Sequence, residues 1–144
     1  MAESCQVDFY VLGSQNQTAG QLACRLAMMA WEQGHRITVL ADNPVEVQKL
    51  DELMWEYPVG RFLPHSTDIG DTSVPIRICT TEMTSAINCE VLINLTNRAV
   101  PEPERFKRLL EIVPCSESQR TASRQKFLSY RRQGLQPANH TIGK

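Results

Sequence analysis

The chain has 144 residues, 42% of them hydrophobic, enough for one domain spanning 1–144 that buries its core without disulfides or metal. A formal net charge of -1 excludes a protein coated in positive charge for wrapping duplex DNA, and no window approaches the roughly 18 apolar residues of a membrane span. The start MAESCQVDFYVLG lacks a basic stretch followed by a long apolar one, so a soluble, cytoplasmic protein with no membrane partner is expected. In chain order, VDFYVL (residues 7–12) is rich in β-branched and aromatic residues and ends at Gly13, which predicts a buried strand and a turn. A helix should follow from Thr18 as N-cap, with Leu22, Leu26, Met29 and Ala30 on one face and Gly34 as its stop.

RITVLA (residues 36–41) reads as a second strand, and Asp42 or Asn43 as the cap of a second helix with Pro44 in its first turn and Val47, Leu50 and Met54 inward. Short joints in a β-α-β-α order imply a parallel sheet, because each crossover returns the chain to the same direction. TDIGDTS is loop-like, VPIRICT alternates as a strand, and VLINLT (residues 91–96) has the continuous apolar run of a central strand. EPERFKRLLEIV reads as a short helix with Phe106, Leu109 and Leu110 inward and Glu104 paired to Arg108, IVP as one last short strand, and a final helix begins at Ser116. The expected fold is a single three-layer α/β/α domain with a mainly parallel, Rossmann-like sheet.

The usual catalytic signatures fail on spacing. After Gly13 the positions that would complete a phosphate-binding loop hold Thr18, Ala19 and Gly20 with no Lys, and Gly13 and Gly20 are too far apart for the dinucleotide fingerprint. Asp42 stands where a ribose-binding acid could, but capping a helix is the commoner role for such an Asp. His35, His65 and His140 are scattered, with His35 read as a turn residue and His65 as a loop cap. Cys5, Cys24, Cys79, Cys89 and Cys115 are odd in number and contain no C-x-x-C pair, which suggests neither a disulfide framework nor a zinc site and fits a reducing compartment, with Cys79 and Cys89 read as small buried hydrophobes. No catalytic site, cofactor or metal is expected.

The charge is unevenly spread. Residues 1–115 hold nine Lys and Arg against fifteen Asp and Glu, whereas SQRTASRQKFLSYRRQG carries Arg120, Arg124, Lys126, Arg131 and Arg132 with no acid. On a helix, Arg120, Arg124, Phe127 and Arg131 fall in one stripe bordered by Leu128, with Tyr130 to its other side. One reading is a solvated rim around an apolar contact. The other is a receptor for an acidic ligand with an apolar anchor, since arginine holds carboxylates bidentately and aromatic residues beside it are common in peptide sites.

From end to end the chain resembles the chi subunit family of bacterial DNA polymerase III, an accessory protein of the clamp-loader assembly. The resemblance rests on DFYVL, LACRLA, WEQGHRITVLA, LDELMWEYPVGRFLPH, VLINL, IVPCSES and YRRQG, with LDELMW followed by RFLPH the most specific. It implies a non-catalytic subunit that bridges the clamp loader to the acidic C-terminal tail of single-stranded DNA-binding protein, a tail that ends in a hydrophobic residue. For that tail it implies Arg124 as the central basic contact, Arg120 a turn earlier, Phe127, the apolar wall Val113, and Trp55 as a further wall. Leu128 stands where the family can have a basic residue, and Arg131 on the same stripe could compensate. The resemblance also implies Phe62, with Leu63 and Pro64, as the contact for the psi subunit, and in some members a helicase partner at the same surface. Direct nucleic-acid binding by the basic helix and a nucleotide-dependent enzyme at the first strand-loop-helix unit are the rivals; the acidic balance of residues 1–115 disfavours one and the missing phosphate-loop residues the other.

Overall fold

A computed structural model describes residues 5–13 and 18–142, the side chains of residues 84–86 excepted. The elements in chain order are β1 (Gln6–Leu12), α1 (Ala19–Glu32), β2 (Ile37–Ala41), α2 (Pro44–Glu56), β3 (His65–Ser66), β4 (Ile76–Thr80), β5 (Val91–Asn94), β6 (Arg108–Val113), α3 (Glu117–Arg132) and β7 (Ala138–Ile142). The strands make one all-parallel sheet in the order β3-β4-β2-β5-β6-β1-β7. Residues 14–17 of the joint compared with phosphate-binding loops lie outside the described residues.

Period-two alternation divides the sheet into two apolar faces. Leu12, Leu110 and Ile112 join α1 and α2 through Leu22, Leu26, Leu50 and Met54. Val7, Phe9, Leu109 and Val113 join α3 through Tyr130, with Phe127 packed at the margin. The result is the expected three-layer α/β/α arrangement, with α3 on the opposite face from α1 and α2.

Local chemistry fixes the first half. Thr18 and Gln21 form a reciprocal capping box at the start of α1, and Gly34 at φ +88° supplies the left-handed turn behind it. The expected inward face of α1 is corrected at one position, because Met29 is exposed while Leu22, Leu26 and Ala30 are buried. Of the two candidate caps for α2, Asn43 is the one used, its Oδ1 accepting from the Glu46 amide at 2.9 Å.

The second half departs further from expectation. Residues 102–113 do not form a helix: Pro103–Arg105 is a single 3-10 turn, and Arg108–Val113 is strand β6, into which the expected short strand IVP merges. The physical reason is burial on both sides. Between β5 and β1 the strand needs apolar residues at consecutive positions, so Leu109 and Leu110, which suggested one helix face, point to opposite faces of the sheet. The expected Glu104–Arg108 pair is absent; Arg108 Nη2 instead meets Asp8 Oδ2 at 2.9 Å. Two short strands, β3 and β7, form the sheet edges; neither carries an apolar pattern, and His65, expected as a loop cap, lies in β3.

Candidate functional site

Ser116, whose hydroxyl accepts from the Gln119 amide, starts α3 directly after β6, so the helix runs back across the sheet beside β1 and β7. A groove of about 940 Å³ lies between them. Phe9 and Val11 of β1 with Gly13 just after it, Val113 of β6 and Asn139 and Thr141 of β7 form one side; Arg120, Ser123, Arg124, Phe127 and Leu128 of α3 form the other. Phe127 rests on Phe9 with ring centroids 5.5 Å apart. The groove is therefore apolar at its base and cationic along its helical wall, and among the described residues no acid lines it.

Arg124 makes no hydrogen bond or ion pair among the described residues, and Arg120 reaches only the Cys115 sulfur, at 4.0 Å. Both side chains are exposed. Two guanidinium forks with no carboxylate partner among the described residues, beside an apolar base, suit a carboxylate-bearing ligand with an apolar side chain.

α3 can expose these arginines because its inner face is anchored. Lys126, counted above among the basic residues of the segment, is buried: its Nζ meets Glu111 Oε1 at 2.9 Å and donates to the Thr96 carbonyl. Glu111 also accepts from Asn94 Nδ2 at 2.9 Å and from the Tyr130 hydroxyl, which in turn accepts from the Val100 amide at 2.8 Å. Burial pushes the Glu111 carboxyl above the usual carboxylate range, and the Lys126 charge with the hydrogen bonds from Tyr130 and Asn94 acts against that rise. Desolvation and the neighbouring Glu111 raise the Tyr130 hydroxyl strongly, so it remains a donor.

The structure brings together Arg120, Arg124, Phe127 and Val113 of the expected tail-binding residues. Arg131 is exposed on α3 but does not line the groove. Trp55 lies elsewhere: it is exposed on α2 and packs on Phe62 at 5.7 Å and edge-on to His65 at 5.0 Å. Because β3 and β7 are opposite edges of a seven-stranded sheet, that cluster is roughly 30 Å from the groove, on the other face. Sequence reasoning missed Phe9, Val11, Asn139 and Thr141. The alternation of β1 carried a signal for the first two, but the polar β7 carried none.

At the β3 edge, the exposed rings of Phe62 and Trp55 pack together as an apolar patch. Leu63, expected with Phe62 at an interface, is fully buried in the core, and Pro64 is half-buried. His65 holds the segment in place, its Nδ1 2.6 Å from the Leu63 carbonyl and its Nε2 3.2 Å from Asp51 Oδ1. Arg61 is tied to Glu32 at 2.6 Å, leaving the patch aromatic rather than cationic.

Residues 5–138 match the family model described as DNA polymerase III chi subunit, HolC. The chain is 34% identical over 138 residues to the DNA polymerase III subunit chi of Pseudomonas aeruginosa, covering 95% of this chain and 96% of that protein. It is 25% identical over 135 residues to the Escherichia coli protein of the same name, covering 88% and 91%.

Proposed function

The chain belongs to the DNA polymerase III chi subunit family, a family of replication accessory subunits, and from that premise we propose that it works as a tether without chemistry of its own. The α3 groove receives the acidic C-terminal tail of single-stranded DNA-binding protein. Arg124 and Arg120 take the terminal carboxylate and preceding acids, while the last apolar side chain enters between Phe127, Phe9 and Val113. The Phe62 patch holds the psi subunit, or a helicase in its place, through an aromatic contact. The observation that carries the reading is the pairing of two exposed arginines that meet no carboxylate with an apolar groove that no acid lines, among the described residues.

Each contact can be weak, since many tails along one coated strand raise the effective concentration and keep the assembly bound while single contacts exchange. The charged part of the contact weakens with salt and the apolar anchor does not.

The test is a titration with an acidic peptide ending in Phe, repeated with Arg124→Ala and with the peptide's C-terminus amidated. Binding that is lost in both controls supports the reading. Binding that ignores both, or affinity for naked single-stranded DNA in place of the peptide, removes it.

A further inference from the structure

The edge of the sheet beside the groove is open. Among the described residues β7 pairs with β1 alone, and the Gly13 amide donates to the Ile142 carbonyl at 2.8 Å. Along a strand the N–H and C=O of successive residues point to alternate sides, so with Ile142 directed at β1, Ala138 and His140 are as well. Asn139 and Thr141 therefore turn both backbone groups outward, away from the sheet. The side chains of these same residues line the groove, next to their register partners Phe9 and Val11. Edge strands are commonly protected by Lys, Pro or a covering element; β7 reads Ala-Asn-His-Thr-Ile and has neither residue.

Direction follows from connectivity. α3 begins where β6 ends and finishes at Arg132, from which a short turn leads to the start of β7. Arg120 and Arg124, in its first half, thus lie toward the C-terminal ends of β1 and β7, with Gly13, Val113 and Thr141, while Arg131 and Arg132 lie toward the start of β7. An extended chain that delivers its terminal carboxylate to Arg120 and Arg124 along this edge runs in the same sense as β7. Among the described residues no acid stands in β7 or lines the groove, which lets a string of carboxylates approach.

We propose that the acidic tail binds by strand addition: it forms an eighth, parallel strand on β7, hydrogen-bonded to the outward N–H and C=O groups of Asn139 and Thr141, with its terminal apolar side chain turned into the groove. This rests on the groove being the tail receptor. Main-chain pairing supplies affinity without reading the sequence of the tail, and the groove reads its end. The preceding acids then pass near Arg131 and Arg132.

The experiment compares Thr141→Pro with Thr141→Ala, using the Phe-terminated acidic peptide. Proline removes only an outward N–H, leaves the pairing of β7 with β1 intact, and is tolerated on an edge strand. Thr141→Pro is expected to weaken the peptide about tenfold more than Thr141→Ala, which removes the same side chain but keeps the outward N–H, with the melting temperatures of the two variants alike. Single N-methylation along the peptide should weaken binding at alternate positions, a period of two that no pocket contact produces. Equal affinity of the two variants, or uniform sensitivity to N-methylation, overturns strand addition even while Arg124→Ala still abolishes binding. If the parent does not bind the peptide, or Arg124→Ala binds normally, the receptor reading itself has failed. A β7-to-β7 dimer in sedimentation that persists with saturating peptide also overturns the proposal, because the edge is then occupied by a second copy.

Discussion

Lys126 and Arg124 are two residues apart on one helix, about 160° apart around its axis, and the same charge does opposite work at the two positions. Lys126 is buried and answered by Glu111 and the Thr96 carbonyl; Arg124 is exposed and answered by nothing among the described residues. A buried cation stabilises only in company, because removing its partner leaves an unpaired charge in low dielectric. An unpaired arginine beside an apolar groove is instead available for binding. The inner face of α3 is thus a matter of stability, and the outer face of recognition.

The largest expected effect tests the inner face. Lys126→Met should lower unfolding stability by about 3–5 kcal/mol in urea denaturation, because Glu111 is left buried without its counter-charge. Combining it with Glu111→Gln should recover part of that loss, because the buried charge is gone while an acceptor for Tyr130 and Asn94 remains. If Lys126→Met were neutral, the distinction between the two faces would fail at its strongest point.

Next comes a pair of intermediate exposure. Burial alone would raise the Asp8 carboxyl, but hydrogen bonds from Arg108, His140 and Gln6 outweigh it and hold Asp8 below the ordinary carboxylate range. A depressed carboxylate contributes stability that is present above its unfolded value and lost as the pH falls through its folded one. Asp8→Asn should therefore cost about 1–3 kcal/mol at neutral pH, and that difference should shrink in acid melts below the usual carboxylate range.

On the outer face, Arg124→Ala should leave stability within about 0.5 kcal/mol of the parent but weaken the tail peptide roughly tenfold to a hundredfold, measured by fluorescence anisotropy. Arg131→Ala should give the smallest change, about twofold or less in the same titration at physiological salt, because Arg131 stands outside the groove. An Arg131 effect equal to that of Arg124 would mean that the ligand spans the helix rather than ending in the groove.

The first half of the fold was legible because its signals are local. Thr18 and the pair Asp42 and Asn43 announce helix starts, Gly34 a helix end, and the spacing of Leu22, Leu26, Leu50 and Met54 an inward stripe; the choice of Asn43 over Asp42 came from the structure. Arg120, Arg124 and Phe127 could likewise be placed on one stripe of α3 from spacing alone. Met29 shows the limit of such reasoning, since apolar spacing cannot say how far around a helix the neighbouring layer reaches. The β6 segment shows another: a strand buried on both faces and a short amphipathic helix can share one apolar run, and only the neighbours β5 and β1 decide between them.

The sequence by itself determined the parallel α/β class, the caps and turns, and the concentration of positive charge on the last helix, all of which follow from residues within a few positions of one another. Tertiary structure alone decided which of those charges is spent inside. It gave Lys126 to Glu111, fifteen residues away, and placed Trp55 beside Phe62 at the far edge of the sheet. It also set the polar strand β7 beside β1, over a hundred residues apart, to complete the groove. Contacts of that range depend on how the layers close on one another, a many-residue balance of burial and pairing that no local pattern encodes.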